Sequence, residues 1–441
     1  MVCASAMANK DQQITRASSA TAPISLRKRI GIVLIFPIGY VILRRKKALY
    51  VAISSRNREV MNSSDSALDL DRRLMSLTPG ASERNPMQST GTAPDRHLRV
   101  MRVWLLVVAG LVVLTLLVGG ATRLTESGLS IVEWKPVTGV WPPVNDEAWA
   151  DEFGKYQASS QYKLLTRGMS LAEFKTIYWW EWSHRMLARL IGAVFLLPFL
   201  FFLWRGWIAN RRLRLRLWTI FGLGAVQGAV GWWMVASGLN GRISVLPYRL
   251  AFHLTLACVI YAATLWTAQR LLPRPALRLP LRLRVEAIAI LILVLLQIYL
   301  GALVAGLDAG LAYNTWPLID GSFIPGWEHL AFLTPAWRNF FENVLTVQFD
   351  HRMTAYLLYA VIVLHAIDVL KSGRSSAALN GALLLASVAL LQIVLGIVTL
   401  LNQAPIALAL LHQGMAIAVL TVAALHAERV TAAPAAAEAR R

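Results

Sequence analysis

Cysteine is nearly missing from this chain: Cys3 and Cys258 are the two in 441 residues, so there is no disulfide framework, no CxxC and no zinc cluster. Charge is scarce too, at 15% of residues against 56% hydrophobic, and the mean hydropathy is positive, which excludes an ordinary soluble domain. Acids are scarcer than bases, leaving a net charge of +20. In a soluble protein that balance would point to nucleic acid. Here the bases sit in short loops between apolar runs, where they are a topology signal. The alternating pattern of a membrane barrel is missing as well, and so is the HExxH of a zinc hydrolase.

What is present is a series of apolar runs of about twenty residues, the length that crosses a hydrocarbon core as a helix. Eight are predicted: Val103–Ala121, Met186–Trp204, Trp218–Ala236, Ala251–Ala268, Ala287–Ala305, Thr354–Leu370, Ala382–Leu401 and Ile406–Leu425. Arginines gather before the first (Arg96, Arg99, Arg102), after the second (Arg205, Arg211, Arg212, Arg214, Arg216) and after the fourth (Arg270, Arg274, Arg278, Arg282, Arg284). The positive-inside rule then puts both termini in the cytoplasm, and a bacterial inner membrane suits the alanine- and arginine-rich composition. The long loops, about 122–180 and 307–348, face outward on this reading, with Trp134, Trp141, Trp179, Trp180, Trp316 and Trp327 at the interface.

The expected organisation is a basic extension over 1–100, a first four-helix half over 101–270, a second over 285–427, and a cytoplasmic tail over 428–441. The extension is read as disordered or as an over-called start, with Met75 or Met87 as the true one; a targeting sequence or an interfacial anchor is the alternative. Its apolar stretch Ile30–Leu43, interrupted by Pro37, is too short to span comfortably. The halves carry matching landmarks in the same order. Gly119-Gly120-Ala121 answers Gly301-Ala302, and Trp141-Pro142 answers Trp316-Pro317. His184-Arg185-Met186 answers His351-Arg352-Met353, Gln227 with Gly231 answers Gln392 with Gly396, and His253 answers His412. The fold expected is an all-α integral membrane protein of two like-oriented four-helix bundles related by an internal repeat.

His184, His253, His351 and His412 fall near the outward ends of the second, fourth, sixth and eighth spans. Each half thus offers two imidazoles at one depth on different helices, which is what a haem wedged in a bundle needs. Repeat-matched ionisable groups inside a membrane are costly and ordinarily functional. Arg185 and Arg352 follow the first histidine of each pair and have two readings, a haem propionate or lipid headgroups. The halves differ in one respect: Glu181 lies three residues before His184, on its face of the helix, whereas the equivalent Gln348 cannot ionise. A reacting carboxylate beside one pair marks the first half for chemistry and the second for a permanent haem; the alternative for Glu181 is an interfacial carboxylate bonded to Arg185 or to a loop, and Asp350, one residue from His351, faces about 100 degrees away from it. His365 and His426 lie fourteen residues beyond His351 and His412. They are read as helix-end histidines, with a further haem as the alternative.

Gly119–Ser130, Trp134-Lys135-Pro136, Gly139 and Trp180–Arg185, with the later His-Arg-Met and His-Gln-Gly motifs, closely resemble the haem A synthase family, in its branch without loop cysteine pairs. The resemblance covers about 103–427. It implies oxidation of a ring methyl of haem O to the formyl group of haem A, for terminal oxidase assembly. It further implies a haem b on His351 and His412 and substrate haem between His184 and His253, beside Glu181. Partners on this reading are haem O, an electron donor the sequence does not reveal, the enzyme that supplies haem O, oxidase assembly factors, and a second copy of the chain. The rivals are a non-catalytic di-haem b electron carrier and a two-repeat transporter. Gln227 and Gln392, inside spans, are read first as interhelical hydrogen bonds.

Overall fold

The computed structural model describes residues 93–272 and 274–432. The basic extension to residue 92, with Cys3, Ile30–Leu43, Met75 and Met87, lies outside the described residues, as does the tail from residue 433. Eight helices are long and apolar enough to cross a membrane. They are α1 (Ala93–Leu124), α2 (Leu171–Trp204), α3 (Arg211–Leu239), α4 (Pro247–Arg270), α5 (Leu281–Gly306), α6 (Val344–Ser372), α7 (Ser376–Leu401) and α8 (Ile406–Thr431). All eight predicted spans are present, and the chain is a multi-pass integral membrane protein.

The helices start where local chemistry satisfies their free N–H groups. Side chains of Ser170, Asn210, Asn343 and Ser375 cap α2, α3, α6 and α7. Proline opens three more: Pro247 is the first residue of α4, and Pro280 and Pro405 precede α5 and α8. Because the caps lie outside the apolar runs, several helices exceed their predicted spans. α2 begins fifteen residues before Met186 and α6 ten before Thr354, so His184 and His351 sit within helices rather than at their mouths. α8 likewise runs on to Thr431, past the expected edge at 427.

Four connections crowd one end of the membrane-spanning unit: 125–170, 240–246, 307–343 and 402–405. The first carries helices Asp146–Gln157 and Ser160–Leu164, whose Trp149 and Tyr156 pack with Phe174 and Tyr178 of α2. The opposite, arginine-rich end has only short turns.

Packing follows the same neighbour order in both halves. In the first, α1 lies against α2 and α4, and α3 bridges α2 and α4; in the second, α5 lies against α6 and α8, and α7 bridges α6 and α8. The halves meet through α1 with α8, α4 with α5, and α4 with α8. Their shared core runs from Leu116 through Cys258, Tyr261, Ile290 and Ile362 to Leu385 and Leu420. Burying such side chains against one another in lipid gains mostly packing, so polar ties matter more than they would in water. Two cross the seam here: Tyr261 Oη meets Thr421 Oγ1 at 2.7 Å, and Gln413 Nε2 donates to Leu116 O at 2.7 Å. At the loop-rich end Arg123 donates to Asp308 at 2.6 Å and to the carbonyl of Ala305.

Candidate functional site

The four histidines sit on α2, α4, α6 and α8, all toward the loop-rich end and all half-buried. His184 lies within electrostatic reach of His253, and His412 of His351, so the structure brings them together as the two expected pairs. Each ring faces a glycine on a neighbouring helix. A Cβ at Gly231, Gly301 or Gly396 would lie 2.9, 3.0 or 2.8 Å from Cε1 of His253, His351 or His412. At Gly119 it would lie 2.8 Å from His184 Nε2. Any side chain at these four positions would displace the imidazole, which is the physical reason they are glycine.

Three of the four glycines have a glutamine one turn before them on the same helix. Gln227 Nε2 lies 3.1 Å from His253 Nδ1 and donates to that residue's carbonyl at 3.0 Å. Gln297 does the same at His351, at 2.9 and 3.0 Å. Gln392 reaches the carbonyl of His412 at 3.1 Å and its Nε2 at 3.4 Å. Gln227 and Gln392 therefore make the interhelical bonds expected of them. Gln297 escaped the sequence reading although its spacing to Gly301 repeats that of the other two. Oε1 of all three glutamines and Nδ1 of His412 are buried without a partner. Buried polar atoms are rarely left so, and a ligand that fixes the ring protons would employ them. Paired imidazoles, glycine cradles and orphaned acceptors together fit a haem in each half.

Glu181, 3% exposed, is the buried carboxylate of the first half. Its Oε2 accepts from Ser130 Oγ at 2.7 Å and from the Ile131 amide at 2.8 Å, and its Oε1 from Arg185 at 2.6 Å. Arg185 also donates to the carbonyls of Ile131 (2.7 Å) and Glu133 (3.0 Å), and Arg189, one turn on, to those of Lys135 (2.7 Å) and Pro136 (3.0 Å). With Trp134 stacked on Trp232 of α3, these bonds tie residues 130–136 to α2 and α3. Farther out in this loop, Glu133 bonds Lys135 and Lys155, which hold its carboxyl below the usual range.

In the second half Arg352 donates to the carbonyls of Tyr313 (3.1 Å) and Leu318 (3.3 Å), and Gln348 also reaches the Tyr313 carbonyl, at 2.8 Å. Within the protein Arg185 thus bonds Glu181 and loop carbonyls, and Arg352 loop carbonyls. Helical spacing shows which residues share a face but not which loop folds back onto them, which is why Ser130 and Arg189 were missed. His365 and His426 meet at the arginine-rich end, nitrogen to nitrogen at 2.9 Å, with Glu286 on the far side of His365 at 2.8 Å. The two rings bond each other directly, as a hydrogen-bonded pair.

Comparison with known proteins bears on this arrangement. The profile of the COX15-CtaA family, described as cytochrome oxidase assembly protein, matches residues 102–424. The chain belongs to this family. It is 58% identical over 342 residues to heme A synthase of Bradyrhizobium diazoefficiens, covering 78% of this chain and 94% of the relative. It is 59% identical over 335 residues to heme A synthase of a Rhodopseudomonas palustris strain, covering 76% and 91%. The family match begins within α1, at residue 102.

Proposed function

We propose that the chain is a haem A synthase, an oxidoreductase that converts the ring methyl of membrane-bound haem O to the formyl group of haem A for terminal oxidase assembly. The observation that carries this reading is the pair of equivalent histidine sites with a buried carboxylate, Glu181, at one of them where the other has Gln348. A plain electron carrier needs no such difference between its halves. The relatives named heme A synthase support the same reading. The two halves are like-oriented repeats, with both termini cytoplasmic in a bacterial inner membrane.

On this reading His351 and His412 hold haem b, and His184 and His253 hold the substrate. When bound, haem b would supply one-electron redox chemistry, exchanging electrons with the first half. This chain's own residues do the rest. Gly119 and Gly231 leave room beside the rings of His184 and His253. Arg185 and Arg189 hold residues 130–136 across the site and keep bulk water away. Glu181, one turn before His184, stabilises positive charge developing on the substrate, or takes its proton at the carboxyl oxygen now bonded to Ser130. Arg185, bonded to the other carboxyl oxygen at 2.6 Å, holds the group in place.

The test is extraction of the haems from the solubilised full chain, expressed with a haem O source, followed by chromatography and mass spectrometry. Haem b with haem O, a hydroxylated intermediate or haem A is the expected result. Haem b alone in both halves would favour the electron carrier and overturn the proposal.

A further inference from the structure

The glutamine that accompanies three of the histidines is missing at the fourth. Four residues before Gly119 stands Thr115, whose hydroxyl is bonded to Leu111 O of its own helix at 2.8 Å. No hydrogen bond to the His184 ring occurs among the described residues. Its pose differs accordingly: His253, His351 and His412 turn Cε1 toward their glycines, whereas His184 turns its Nε2 and Cδ2 edge, with Cδ2 3.1 Å from a Cβ built at Gly119.

We propose that Gln227, Gln297 and Gln392 are positioning residues that fix His253, His351 and His412 as permanent axial ligands, while His184 is the exchangeable ligand of the substrate haem. The inference rests on the reading of the two pairs as haem ligands. An imidazole that binds iron through Nε2 carries its proton on Nδ1, and a partner for that proton sets the ring's orientation and strengthens it as a donor. At His253 and His351 the glutamine amide already lies within hydrogen-bond distance of Nδ1 and holds the histidine's own carbonyl. Its buried, unpaired Oε1 is the acceptor an Nδ1–H requires, reached by rotation of the amide. Thr115 is too short and otherwise engaged. The ring that yields is also the one a single turn from Glu181, so the face of the substrate that opens is the face nearest the carboxylate. The internal repeat thereby gives one haem two fixed ligands and the other one fixed and one that leaves.

The experiment uses the full chain loaded with haem, reduced and exposed to carbon monoxide, with each haem followed by its optical spectrum and by redox titration. Wild-type protein is expected to bind carbon monoxide at the substrate haem alone. Thr115→Gln is expected to slow that binding by about tenfold or more. Gln297→Leu is expected to admit carbon monoxide to the second-half haem and raise its potential, and Gln297→Glu, which restores an acceptor, to lower it. Opposite shifts from two substitutions at one position are not produced by general loosening. Haem-loaded variants with unchanged carbon monoxide rates and potentials would overturn this proposal alone; a wild-type chain that carries no haem would remove the underlying reading with it.

Discussion

At the level of single residues, the glycines opposite the histidines do what no other residue type can. Each leaves a gap narrower than a side chain, so the ring beside it is placed by absence of matter rather than by a contact. Gly396→Leu is expected to abolish haem b binding while the helices persist, measured as haem content against circular dichroism of the solubilised protein. Glu181 is the converse case, a group placed by many contacts. Its three close partners, Ser130, the Ile131 amide and Arg185, hold the carboxyl group out of water. Glu181→Gln keeps the shape and one set of bonds. It should leave both haems bound but block progress to haem A; normal haem A output from that variant would remove Glu181 from the chemistry.

At the level of elements, the spans were legible from apolar length because lipid forces the backbone to satisfy itself within each helix. Their ends were not, because polar caps decide them. Ser170 and Glu173 form a reciprocal capping box that starts α2 far outside its apolar run; the Ser-x-x-Glu spacing was in the sequence to be read. The histidine pairs and the contrast between Glu181 and Gln348 were legible for a related reason, since helical geometry fixes which residues share a face and a depth. The fold-back of residues 130–136 was not, as nothing periodic encodes a loop. That loop carries its own pH dependence. Glu133, depressed by Lys135 and Lys155, lends stability above the ordinary carboxylate range that is lost as pH falls through its lowered value. Limited proteolysis within 125–170 should therefore quicken only below the ordinary carboxylate range. In Lys155→Met it should begin at higher pH, because Glu133 then titrates closer to normal.

At the level of the whole molecule, two ends of one bundle have different tasks. The loop-rich end holds four imidazoles in glycine cradles; the arginine-rich end holds His365 and His426 bonded to each other and to Glu286, which joins α5, α6 and α8. His426→Ala strands a buried ring nitrogen of His365, at a cost of about 1–3 kcal/mol. A lower thermal midpoint with haem content unchanged is expected, read by differential scanning fluorimetry with haem absorbance. Loss of a haem from that variant would instead return a haem to this end. The halves share one packing order, and the function proposed depends on the places where they depart from it: Glu181 against Gln348, and Thr115 against the glutamines.

The division of labour between the halves is the central claim, and haem identity in ligand variants tests it most directly. The haems of His412→Ala and His253→Ala chains, each expressed with a haem O source, are to be extracted and separated. The account predicts that His412→Ala loses haem b and keeps the farnesylated haem, while His253→Ala keeps haem b and loses the other. Loss of the same haem from both variants, or the reverse pattern, would contradict it.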